Sequence, residues 1–173
     1  LSMLVQSAFF LAYALFSLPA AAIVRKAGYM RTASIGLVTM MVGCLLFIPA
    51  AQSATFAMFL VALFVLGAGI TIVQVVANPL ISLLGKPETA SSRLTFAQAF
   101  NSLGTTIFPR VGSSLILGGL AGVSAASLSG AALVTYRQEA SQAIVHTYLG
   151  LAVALLVIAA VVWTRRNRLK EEQ

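Results

Sequence analysis

Long apolar runs alternate with short polar or basic stretches along the whole chain. Five runs, at 3–24, 32–51, 55–84, 91–120 and 142–164, are each long enough as helix to cross about 30 Å of hydrocarbon. The third and fourth exceed that need, so they tilt, bend at Pro79 or Pro109, or extend past the lipid as helix or irregular chain. The connections at 25–31, 49–54 and 85–93 are short, which makes neighbouring helices antiparallel. The stretch 121–141 is longer and rich in small residues; it either continues the fourth helix in part or lies at the interface. The pattern predicts an all-α polytopic membrane protein with about five transmembrane helices.

Composition supports that reading and removes its main competitor. Of 173 residues, 60% are hydrophobic and only 9% charged, against roughly 25% charged in an ordinary soluble domain. The mean hydropathy is +0.97. A net charge of +7 suggests nucleic acid only when composition is read alone; here the cations flank apolar runs, where they act as topology signals. If the five spans alternate, Arg25, Lys26, Arg31, Lys86, Arg93, Arg165, Arg166, Arg168 and Lys170 fall on one side, nine of the 11 basic residues. That side is expected to be cytoplasmic, with the N-terminus outside and the C-terminus inside. Arg137 then falls in an external loop. Arg110, about 26 Å of helix beyond Arg93, reaches the external interface by snorkelling or serves a substrate or coupling role. Leu1 runs straight into an apolar segment without a basic leader, which reads as an interior start. Cys44 is the single cysteine, so no intrachain disulfide or cysteine-rich metal site is expected.

Acidic groups are scarce where a proton relay needs them. No Asp or Glu lies in an assigned span, so a coupling carboxylate is expected outside this chain. His146, near the outer start of the last span, is structural or handles protons; no cluster supports a metal. No cofactor is expected. There is no acidic cluster, HExxH pattern or nucleophile arrangement, so an enzyme is not expected either.

Uncharged polar residues form stripes instead. Gln98, Asn101, Ser102 and Thr105 recur at three- and four-residue steps and share one helix face. Gln74 and Asn78 form a second pair, while Gln6, Tyr13 and Ser17 mark one side of the first span. Such amides and hydroxyls line a cavity for an uncharged polyhydroxy solute, or they bond neighbouring helices. By helical rise Gln98 and Asn101 lie about 8 and 12 Å beyond Arg93, and Gln74 about 16 Å before Gly85, in the inner half to the middle of the membrane. Phe96, Phe100 and Tyr13 are candidate platforms for a sugar ring, with packing against lipid or helices the alternative. Small residues in "GLVTMMVG" (36–43), "LGAGI" (66–70) and the tail of the fourth span permit close helix approach. Pro79, directly after Asn78, frees backbone carbonyl capacity and bends the helix beside the proposed cavity.

Three segments carry a family resemblance: "QSAFFLAYALFSLPA" (6–20), "LFVLGAGITIVQVVANPLISLLG" (63–85) and "PETASSRLTFAQAFNSLGTTIFP" (87–109). In these the chain resembles the major facilitator superfamily, in its fucose permease and glucose/galactose transporter branch. The resemblance spans nearly all of 1–173, as a partial N-terminal transporter domain covering helices two to six of the usual twelve. It implies that the first helix and the second six-helix domain are missing from this stretch. The family's cytoplasmic turn G-x-x-x-D-(R/K)-x-G-x-x-R is matched in part by "AAIVRKAGYMR" (21–31): Lys26, Gly28 and Arg31 fit, while Ala21 replaces the first glycine and Arg25 the acid. Those three residues take a conformational role by this likeness, with a plain basic turn as the alternative.

The same likeness makes Gln74, Asn78, Gln98 and Asn101 the substrate-binding candidates, with Tyr13, Ser102 and Thr105 as further cavity lining. The fucose-specific branch carries a proton-coupling glutamate where this chain has Gln74, which cannot titrate, so the chain looks closer to the glucose/galactose branch. The resemblance implies transport of a neutral monosaccharide such as glucose, galactose or fucose by proton- or sodium-coupled symport, in a bacterial inner membrane. Expected partners are the sugar, the coupling ion, the lipid bilayer, and missing transporter segments or a complementary membrane chain; no nucleic acid is expected. A multipass assembly or scaffold protein that transports nothing is the alternative.

Overall fold

A computed structural model describes residues 2–53, 55–117 and 129–165. They form five α-helices: α1 (Ser2–Ala27), α2 (Tyr29–Ser53), α3 (Phe56–Leu83), α4 (Ala90–Leu117) and α5 (Ala131–Thr164), with a 3-10 turn at Pro87–Thr89 between α3 and α4. There is no strand among the described residues. Four helices, α1, α2, α3 and α5, are long and apolar enough to cross a membrane by length and composition. α4 has the length, 28 residues, but the Ser, Thr, Gln, Asn and Arg residues along it dilute its apolarity below the other four.

Helix ends depart from the expected boundaries where polar residues are good helix formers. α5 begins at Ala131 rather than at 142, because "AALVTYRQEASQA" is polar yet built largely of helix-favouring Ala, Leu, Arg, Gln and Glu. Arg137, expected in an external loop, is therefore helical, and His146 lies well inside α5 rather than near its start. Of the long connection at 121–141, positions 121–128 lie outside the described residues. Pro49, expected in a connection, sits inside α2, where the Ser53 hydroxyl donates to its carbonyl at 2.8 Å. Pro79 and Pro109 likewise lie inside continuous α3 and α4.

The expected turn at 25–31 is almost entirely helix. Only Gly28 separates α1 from α2, at φ 83°. Its N–H donates to the Val24 carbonyl at 2.9 Å, and its own carbonyl accepts from Thr32 N–H at 3.2 Å and Thr32 Oγ1 at 2.8 Å. A Cβ at Gly28 meets nothing within 4 Å, so a side chain is opposed by backbone conformation alone. Gly28→Ala is expected to cost about 1 kcal/mol, and Gly28→Asn less, since Asn tolerates the left-handed region. Thermal unfolding of the purified protein in detergent checks this; equal midpoints for Gly28→Ala and the parent would refute it.

Close packing is concentrated between α2 and α3, with α1 also against α3 and α5 against α2. A Cβ built on Gly69 falls 2.6 Å from the Met40 backbone nitrogen and one on Gly43 falls 2.7 Å from that of Leu66, while one on Gly36 meets the Val73 side chain at 2.8 Å. These contacts pair 36 with 73, 40 with 69 and 43 with 66, so the two helices run antiparallel with backbones in near contact. The two small-residue motifs at 36–43 and 66–70 thus face each other, as helix association in lipid favours. Of the fourth-span glycines, Gly112 meets nothing within 4 Å and Gly104 only Phe108 of its own helix, while Gly118 and Gly119 lie outside the described residues. Thr71, fully buried, donates its hydroxyl to the Gly67 carbonyl at 2.8 Å, so its burial leaves that donor satisfied.

α4 is the least attached helix, with sparse contacts to α3 and α5. Large apolar side chains remain exposed on every helix, among them Leu18, Val61, Phe108 and Val157. That distribution suits a surface that meets lipid tails, where apolar exposure carries no hydration cost.

Candidate functional site

The polar stripes of α3 and α4 meet at one point. Gln98 Nε2 donates to Asn78 Oδ1 at 3.4 Å, across the hairpin formed by the two helices. Both residues are exposed, so the Asn78 amide N–H₂ and the Gln98 carbonyl oxygen stay available to another ligand. Gln74, one helical turn before Asn78, and Asn101, one turn after Gln98, are exposed too. Two helices therefore present four side-chain amides around one junction.

The remaining polar candidates are placed differently. Thr105 turns its hydroxyl back onto the Ser102 carbonyl at 2.9 Å, which also accepts from Thr106 Oγ1 at 2.9 Å. Thr105 keeps only acceptor capacity for a ligand, and the exposed Ser102 hydroxyl lies on the same face. Tyr13 is 41% exposed on α1, whose main packing partner is α3; the structure does not join it to the amide junction. Lys26 and Arg31 are exposed at the facing ends of α1 and α2, on either side of Gly28.

Phe96 and Phe100 form a T-shaped pair with centroids 5.0 Å apart. At about 100° per residue they point roughly 160° away from Gln98 on α4, so they belong to the opposite face from the amides. Their 67% and 60% exposure puts both rings on a surface apart from the amides. Phe47 makes a more integrated aromatic contact, stacked on Tyr148 at 4.2 Å and edge-on to Phe59 at 5.7 Å, which joins α2, α5 and α3.

The amides are the chemistry this junction offers. Carboxamides donate and accept without titrating, so they match hydroxyl groups, which also do both. The described acids, Glu88 and Glu139, sit in the 3-10 turn and in the early part of α5, away from the amides in sequence. The stripes are legible in the sequence through their three- and four-residue spacing. Arg93 reads there only as a topology charge, although its side chain bonds across the same hairpin.

The chain is 49% identical over 160 residues to a glucose/galactose transporter of Brucella abortus, covering 92% of this chain and 36% of that protein. It is 41% identical over 114 residues to the L-fucose-proton symporter of Haemophilus influenzae, covering 66% of this chain and 27% of the relative. Its fold matches a crystal structure of the Escherichia coli fucose:proton symporter with a TM-score of 0.82 and 30% identity, over 94% of this chain and 40% of that one. The chain thus spans well under half the length of these relatives. The family and these relatives are transporters, and the apolar helices are those of a multi-pass membrane protein. With the Major Facilitator Superfamily model matching residues 1–173 and the helices arranged as in a solved member, the chain belongs to the Major Facilitator Superfamily.

Proposed function

We propose that this chain is part of a symporter that carries a neutral monosaccharide, glucose, galactose or fucose, across a bacterial inner membrane. The observation that carries the reading is the junction of Asn78 with Gln98, flanked by exposed Gln74 and Asn101. In this reading α4 is a fifth span whose polar face borders the sugar path, which explains why it is less apolar than its neighbours. The N-terminus lies outside, and the ends of α1, α3 and α5, beside Arg25 and Lys26, Lys86 and Arg165, are cytoplasmic; Arg166, Arg168 and Lys170 lie outside the described residues.

Sugar hydroxyls replace water on the amides, and the path alternates its exposure between the two sides of the membrane. Because Gln74 cannot titrate, a carboxylate that couples a proton comes from outside this chain, through further transporter segments or a complementary membrane chain. The names of the relatives support both sugar transport and proton coupling.

The test is a sugar-binding panel on the purified intact protein. Gln98→Ala and Asn101→Ala are each expected to weaken sugar binding about tenfold, the loss of one to two hydrogen bonds, with membrane expression preserved. Unchanged affinity in both variants would sink the assignment. A parent protein that binds no sugar but co-purifies with a stoichiometric membrane partner would favour a scaffold.

A further inference from the structure

Arg93, in the first turn of α4, reaches back across the turn to α3. Its Nε donates to the Ile81 carbonyl at 3.1 Å and one terminal nitrogen to the Ser82 carbonyl at 2.8 Å. The other terminal nitrogen donates to the Lys86 carbonyl at 3.0 Å and to Thr89 Oγ1. Ile81 and Ser82 lie in the last turn of α3, where carbonyls lack intrahelical donors. A planar, permanently charged fork satisfies these carbonyls and the negative end of the helix dipole together.

The turn is shaped around this side chain. Gly85 takes φ 105°, and a Cβ there would sit 3.1 Å from an Arg93 terminal nitrogen. The bonded groups also lie close in sequence to the amide pair on both helices: Ile81 follows Asn78 by one turn, and Arg93 precedes Gln98 by little more. Because α4 otherwise touches α3 only sparsely, few other contacts hold the register of this hairpin.

We propose that Arg93 is a positioning residue that pins the α3–α4 hairpin so that Gln98 meets Asn78. Its consequence for sugar binding rests on the reading of those amides as sugar ligands; its effect on helix register does not. Arg93 acts through the carbonyl groups of α3 and needs no contact with the sugar.

Register can be read without the amide bond. In the intact protein in membranes, with Cys44→Ser and any other cysteines replaced, Asn78→Cys and Gln98→Cys are joined by a short-spacer bis-methanethiosulfonate reagent. Crosslinking is expected to slow about tenfold with Arg93→Ala and about threefold with Arg93→Lys, whose ammonium keeps the charge but lacks the fork. Thr89→Val, which removes one acceptor, is expected to slow it more mildly. A parent rate in Arg93→Ala overturns the proposal; if that variant does not reach the membrane, parent rates in both Arg93→Lys and Thr89→Val overturn it. With Asn78 and Gln98 intact, Arg93→Ala is expected to raise the glucose or galactose Kd about tenfold, with part recovered by Arg93→Lys. Slowed crosslinking with unchanged sugar affinity would uphold the clamp and count against the amides as a sugar site.

Discussion

Gly69→Val is expected to separate α2 from α3 and to destabilise the protein by more than about 3 kcal/mol, with Gly69→Ala costing about 2 kcal/mol. The reason is the identity of the obstructing atoms. A Cβ on Gly69 would stand 2.6 Å from the Met40 backbone nitrogen and 2.8 Å from the Gly36 carbonyl oxygen, as well as 2.6 Å from the Met40 side chain. The methionine can swing aside, but the backbone cannot move without opening the helix pair. In lipid little is gained from burying apolar surface, so van der Waals contact is a main source of association and is lost steeply with distance. Gly43→Ala is expected to act alike, since the Leu66 backbone nitrogen and Cα lie 2.7 and 2.8 Å from its Cβ position.

Cys44 supplies the readout. It is 2% exposed beside Gly43, so its reaction with a thiol dye reports opening of this packed region during thermal or SDS-induced unfolding. Gly112→Ala is the control, because its Cβ meets nothing within 4 Å, and is expected to stay within about 0.5 kcal/mol of the parent. A Gly69→Val protein that unfolds alongside Gly112→Ala would remove the basis for the close-contact account.

Phe47→Ala is the second large effect, expected to cost about 2–4 kcal/mol. The ring is 3% exposed and fills the space where α2, α3 and α5 meet, stacked on Tyr148 with an interplanar angle of 13° and edge-on to Phe59 at 69°. Removing it leaves a void that neighbouring rings cannot fill without moving whole helices. Tyr148→Ala is expected to cost less, because Tyr148 is only half-buried. The double variant should reveal about 0.5–1.5 kcal/mol of coupling between the two rings. Strict additivity, measured on the same unfolding curves, would mean that the stack contributes nothing of its own and that Phe47 acts only through volume.

How far the sequence was legible depended on the range of the interaction concerned. The helices at 3–24, 32–51 and 55–84 were readable to within a few residues, since run length is compared with one external dimension, the thickness of hydrocarbon. The start of α5 was not, because hydropathy detects lipid-facing segments whereas Ala131–Ser141 is helical through propensity and hydrogen bonding. The single-residue turn at Gly28 was overestimated for a related reason: Arg25, Lys26 and Arg31 look like a loop by charge but sit on helix ends.

The sequence by itself determined the helical membrane class, the faces that carry amides, and the glycine surfaces of α2 and α3, because each follows from composition or from the 3.6-residue period within one segment. Only the tertiary structure decided which of these faces meet. It set Gly43 against Leu66, brought Gln98 to Asn78, and gave Arg93 the last carbonyls of α3. Those pairings depend on the crossing and register of separate helices, which no local periodicity encodes.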